Sequence, residues 1–101
     1  MKTFKDLEFK PRGFGGIHAT MTFDNGNIIS VVAGEGAYSS PREDNDDPEH
    51  FSQFEVAVLR PDNVGFRDFV TREFVPNAND DVLGWQSRAE INTLMLLIQS
   101  N

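Results

Sequence analysis

Cysteine is absent from this chain of 101 residues. That excludes disulfides, thiolate nucleophiles, zinc–thiolate centres and iron–sulfur clusters together. Histidine is nearly absent too. Neither His18 nor His50 has a serine or carboxylate at a sequence spacing that builds a triad, so both read as surface residues rather than general bases. Long apolar runs are missing. Leu94-Met95-Leu96-Leu97-Ile98 is far too short to span a bilayer, and Met1-Lys2-Thr3-Phe4-Lys5-Asp6 lacks the apolar stretch of a secretory leader. A cytoplasmic protein is the expectation, with no membrane partner.

Positive charge is scarce. Nine Lys and Arg stand against 16 Asp and Glu, a net charge of −7. The imbalance is uneven, because residues 1–33 carry a net +1 and residues 34–101 a net −8. Phosphate backbones repel so acidic a chain, so direct nucleic-acid binding is not expected. Acidic surfaces favour basic partners, including the nucleic-acid-binding surfaces of other proteins. Phenylalanine, by contrast, is plentiful. Nine Phe within 39% hydrophobic residues suffice for one core, and the length makes one domain over residues 1–101.

The strongest pattern is a β-hairpin. Ile17, Ala19, Met21 and Phe23 alternate with His18, Thr20 and Thr22, then Asp24-Asn25-Gly26 supplies residues that tolerate positive φ. A two-residue Asn25-Gly26 turn would set Ile29 and Val31 opposite Thr22 and Thr20. A three-residue loop with a glycine bulge sets Ile29, Val31 and Ala33 on the face of Met21, Ala19 and Ile17. The second segregates apolar from polar side chains better and is the predicted register.

Thr3 to Phe9 reads as a short edge strand, ended by the breaker Lys10-Pro11-Arg12-Gly13-Phe14-Gly15-Gly16. Phe54 to Leu59 is a central strand with Phe54, Val56 and Val58 on one face. Arg60 to Gly65 is a turn and Phe66 to Val70 a returning strand. Phe74-Val75-Pro76 reads as a further strand or an extended arm, and Asp80-Asp81 as a turn leading towards the next helix. Ser87-Arg88-Ala89-Glu90 is a capping box, followed by the stripe Ile91, Leu94, Met95 and Ile98, which Leu97 widens. The predicted fold is α+β: an antiparallel sheet of four to five strands with one C-terminal helix packed on a face.

Three features invite chemistry. Gly13-Phe14-Gly15-Gly16 beside Lys10 and Arg12 could cradle a phosphate, but it lacks the P-loop spacing and no helix follows it. The acidic tract Glu43, Asp44, Asp46, Asp47 and Glu49 departs from an EF-hand, whose sixth position would be Gly where this chain has Glu49. It reads as a solvated, mobile loop from about 39 to 52 that can face a basic groove. Trp85, near the helix start, reads as a core anchor. Tyr38 and Phe14, both in glycine-containing loops, are better placed as contacts for a partner.

Several segments occur together: Met1-Lys2-Thr3-Phe4-Lys5-Asp6-Leu7-Glu8-Phe9, Phe23-Asp24-Asn25-Gly26 with Ser30-Val31-Val32, Phe54 to Leu59, and Asp80-Asp81-Val82-Leu83-Gly84-Trp85-Gln86-Ser87. In these the chain resembles small proteins of tailed bacteriophages that carry no assigned activity. The resemblance implies a bacterial cytoplasm during infection, where such proteins often bind and inhibit host machinery.

The function expected is that of a non-enzymatic interaction protein, phage-encoded by that resemblance, which blocks or redirects a host protein with a basic surface. A defence or nucleic-acid-processing complex is the expected target. Glu43, Asp44, Asp46, Asp47 and Glu49 are the expected charge contacts, with Tyr38 and Phe14 as apolar anchors. No catalytic residue, cofactor or metal is expected. Two alternatives stand beside it: a small-ligand or nucleotide module using the glycine turn with Lys10 and Arg12, and a protein that pairs with its own copy through an exposed sheet edge.

Overall fold

Period-two alternation builds one sheet. In the computed structural model, which describes residues 1–13 and 15–101, five strands lie side by side, each antiparallel to its neighbour. They are β1 (Lys10–Pro11), β2 (Ile17–Thr22), β3 (Ile28–Ala33), β4 (Phe54–Pro61) and β5 (Arg67–Phe69). A sixth, β6 (Leu83–Gln86), pairs antiparallel with β4 on the edge that β5 also uses. The long β4 thus serves β6 through Phe54 and Val56 and β5 through Leu59 to Pro61. The fold is α+β.

The hairpin takes the bulged register. Ile17 faces Ala33, Ala19 faces Val31 and Met21 faces Ile29. The Gly26 amide closes the turn on the Phe23 carbonyl at 2.9 Å, with Gly26 at φ +89°, which a side chain would oppose. Just beyond β2 and β3, Gly16 meets Gly34. A Cβ on Gly16 would stand 2.1 Å from the Ala33 carbonyl oxygen, and one on Gly34 would stand 2.6 Å from Gly16 Cα. Only glycine lets these backbones touch.

Helix α2 (Arg88–Gln99) lies on one sheet face. Ser87 Oγ accepts from the Glu90 amide at 3.1 Å while Glu90 accepts from the Ser87 amide at 3.0 Å, which is the predicted capping box. Ile91, Leu94, Met95 and Ile98 are buried against Ile17, Val31, Phe54, Val56 and Val58. Leu97 does not widen the stripe: it is 44% exposed, beside Leu96 at 42%. Asn25 at the hairpin tip donates to the carbonyls of Ile98 and Asn101, tying the turn to the helix end.

Three other expectations are corrected. The segment Thr3 to Phe9 is no strand. Phe4–Asp6 forms a 3-10 turn, because the Asp6 carboxylate accepts from the Thr3 amide at 2.8 Å and Phe4, Leu7 and Phe9 turn into the core. Phe74 ends a single helical turn, α1 (Thr71–Phe74), rather than opening a strand. The stretch before α2 contains β6, which pairing with β4 stabilises although its own sequence has no alternation.

Candidate functional site

The most unusual backbone of the described residues lies in β6. Phe54 pairs with Gln86 and Val56 with Leu83, so two residues, Gly84 and Trp85, oppose the single Glu55. This is a β-bulge, a device that redirects a side chain. Trp85 is the one described non-glycine residue at positive φ, +52°. A left-handed conformation costs an L-residue about 1–2 kcal/mol, and such strain collects at functional sites.

The bulge turns the indole outward onto Tyr38. Their ring centroids are 5.2 Å apart at an interplanar angle of 36°. The Trp85 amide donates to the Tyr38 carbonyl at 2.9 Å, and the Tyr38 amide donates to Glu55 Oε1 at 3.1 Å. Gly84 permits the approach, since a Cβ there would meet Tyr38 Cβ at 3.0 Å. The Arg42 guanidinium lies 5.5 Å from the Tyr38 ring centre. Tyr38 is 47% and Trp85 48% exposed, so the pair presents a paved, half-open aromatic surface with a cation at one side.

Trp85 is therefore not a core anchor. Its misreading has a local cause: Leu83-Gly84-Trp85-Gln86 offers one apolar neighbour and a glycine, too little for either a strand or a packing pattern. The glycine immediately before a tryptophan was the signal of a close approach. Tyr38 stands where a partner contact was expected, on the surface. Phe14, the other expected anchor, lies outside the described residues.

The acidic segment borders this surface and is more tightly held than a mobile loop suggests. Ser39 and Phe51, near its ends, are each 1% exposed. Ser39 Oγ accepts from the Gly34 amide at 3.0 Å and donates to the Pro41 carbonyl at 2.9 Å. Ser40 and Gln53 form a bridge. Arg88, from α2, stacks 5.2 Å from the ring centres of Phe4 and Phe54 and donates to the Pro48 carbonyl at 2.9 Å.

The five carboxylates play unequal parts. Asp44 accepts from the Gly16 amide at 2.9 Å, and Asp47 accepts from the Glu49 amide at 3.0 Å, capping a 3-10 turn at Pro48–His50. Glu43 meets His50 Nε2 at 2.9 Å, and Glu49 stands 4.0 Å from Arg88. Among the described residues, the Asp46 side chain makes no hydrogen bond or ion pair. Asp44 also answers the glycine turn, because the Gly16 amide that a phosphate would have sought already holds a carboxylate of the same chain.

Among the described residues, no three His, Asp or Glu side chains converge to hold a metal ion. No helix among them is long and apolar enough to cross a membrane. Comparison with protein-family models, curated proteins and solved structures finds no match to this chain.

Proposed function

We propose that this protein acts as a non-enzymatic interaction module whose partner contact is the Tyr38–Trp85 pair with the acidic segment beside it. The observation that carries the reading is the left-handed Trp85 in a bulge, which keeps a large aromatic ring half in water at a cost in backbone strain. Trp, Tyr and Arg are the residues that most often dominate binding energy at interfaces. Arg42 beside Tyr38 completes that set. Glu43, Asp46 and Glu49 supply negative charge that steers a basic partner and sets the on-rate. The partner is then a protein with a basic groove, and occupying the groove blocks or redirects it. The resemblance to phage proteins makes a bacterial host protein the partner and its cytoplasm the place.

Capture from a bacterial lysate at low and high salt tests this reading. Wild type should retain a stoichiometric partner that salt releases, and Trp85→Ala and Tyr38→Ala should each lose it. Equal capture by wild type and both variants would remove the aromatic pair from the interface.

A further inference from the structure

The hairpin tip, the end of α2 and the N-terminal segment meet around one side chain. Asn25 Nδ2 donates to the carbonyls of Ile98 at 2.8 Å and Asn101 at 2.9 Å. Its Oδ1 accepts from the Asn27 amide at 3.1 Å, which curls the carboxamide back over the Gly26 peptide. Asn25 shares the lining of one hollow with Lys2 and Gln99, and Gln99 bonds both backbone groups of Lys2. Asn25 is exposed, so water reaches it, whereas Ile98 is fully buried. It is also the one asparagine of this chain that precedes a glycine. Gly26 has no Cβ to shield its nitrogen, and beyond its chain neighbours nothing stands within 4 Å of where one would be.

We propose that Asn25 is a site of spontaneous deamidation whose conversion irreversibly frees the end of α2 from the hairpin tip. Water is the only co-reactant. The Gly26 nitrogen loses its proton and bonds to Asn25 Cγ, the Cγ–Nδ2 bond breaks, and ammonia departs to leave a cyclic succinimide. Water then opens the ring at either carbonyl, giving aspartate or isoaspartate, and nothing is oxidised or reduced. The fold restrains the first step. The Gly26 amide donates to the Phe23 carbonyl at 2.9 Å, and Nδ2 is held by the two carbonyls at the helix end. The last turn of a helix frays more readily than its middle. The reaction therefore proceeds from the frayed state, and the docking of α2 sets its rate.

The consequence follows from what replaces the carboxamide. Before conversion, Nδ2 serves carbonyls that a helix end leaves without intrahelical partners. Afterwards a carboxylate stands there. It accepts hydrogen bonds but donates none, and its charge opposes the negative end of the helix dipole. Isoaspartate also inserts an extra backbone atom at the tip, against the bond from the Phe23 amide to the Asn27 carbonyl at 2.8 Å. The last turn of α2 cannot redock, and the Lys2 backbone that Gln99 holds is released with it. The tip precedes β3 and Tyr38 follows it, so the site is separate from the Tyr38–Trp85 surface and neither proposal rests on the other.

Ageing the whole protein in heavy-oxygen water, at neutral and alkaline pH, tests the site through peptide mapping by mass spectrometry. Asn25 should gain the mass of an amide-to-acid exchange, with the heavy label, before any other asparagine does. The rate should rise with pH, because the attacking nitrogen is the deprotonated one, and both aspartate and isoaspartate should form. Protein unfolded in urea should react severalfold faster, and Asn25→Gln should not react at this position. In the aged protein the Gln99 and Ser100 amides should exchange about tenfold faster, while Val56 and Val58 keep their protection. Asn25→Asp should show the same local loss without ageing. The proposal is overturned if another asparagine converts first, or if urea leaves the rate at Asn25 unchanged or lowers it. Full protection at Gln99 and Ser100 in both the aged protein and Asn25→Asp would overturn the release of α2.

Discussion

Thr71 Oγ1 stands 3.0 Å from the amide nitrogen of Val58 and completes the sheet where no strand does. On the outer edge of β4, β5 ends at Phe69 and β6 begins only at Leu83, so Val58 lies in the gap between them. The Val70 amide donates to the Val58 carbonyl at 2.8 Å, and the Thr71 hydroxyl accepts from the Val58 amide and donates to the Asp81 carbonyl at 2.6 Å. One buried hydroxyl joins three segments.

Thr71→Val keeps the shape and removes the hydroxyl. It should destabilise the domain by about 1–3 kcal/mol, the cost of leaving the buried Val58 amide unsatisfied. Thr71→Ser should recover most of that loss. Urea denaturation of the three proteins checks it, and equal midpoints for Val and wild type would refute the role.

Gly16→Ala and Gly34→Ala should each be among the most damaging single changes. Each adds a Cβ inside the van der Waals radius of the facing backbone, at φ +91° and +139° respectively. Losses of about 3 kcal/mol or more are expected, combining strain with overpacking. Thermal melts should show both, and Gly13→Ala, with nothing within 4 Å, should melt near wild type.

Trp85 separates strain from contact. Trp85→Ala loses the ring and keeps the strained backbone, whereas Trp85→Gly loses both. The Gly variant should be more stable than the Ala variant by about 1 kcal/mol, the reverse of the usual order in a strand. A more stable Ala variant would show that the bulge relaxes without the indole.

The acidic segment should divide under mutation. Asp46→Lys should change stability by no more than about 0.5 kcal/mol and slow association with a basic partner. Asp44→Ala should cost about 1 kcal/mol, because the Gly16 amide loses its acceptor. A joint reversal of Asp44, Asp46 and Asp47 would therefore confound folding with binding. Denaturation midpoints of the single variants test the division.

Asp6 should titrate below the ordinary carboxyl value of 3.8, chiefly because it accepts the Thr3 amide, with Lys2 and Lys5 adding attraction. A folded value below the unfolded one means that Asp6 stabilises the fold above the ordinary value. That contribution is lost as pH falls through the lowered one. An NMR titration of the Asp6 carboxyl should show the depression. Asp6→Asn should remove this part of the acid sensitivity and loosen the Phe4–Asp6 turn.

Residues near in sequence determined a good deal of this protein by themselves. The hairpin register followed from Gly26 and the alternation through Met21 and Phe23, because a one-residue slip would expose an entire buried face. The start of α2 followed from Ser87 and Glu90, whose bonds span three residues, and its buried face followed from the spacing of Ile91 to Ile98. The tertiary structure alone decided the rest. Leu83 to Gln86 becomes a strand only because β4 has an edge to offer, and Trp85 is turned outward by the bulge that this pairing forces. Asp44 reads as one acid among several until the Gly16 amide needs an acceptor, and Thr71 reads as an ordinary polar residue until Val58 needs one. Local propensity acts between neighbours in the chain, whereas these outcomes depend on which backbone groups are still unpaired after the sheet has formed.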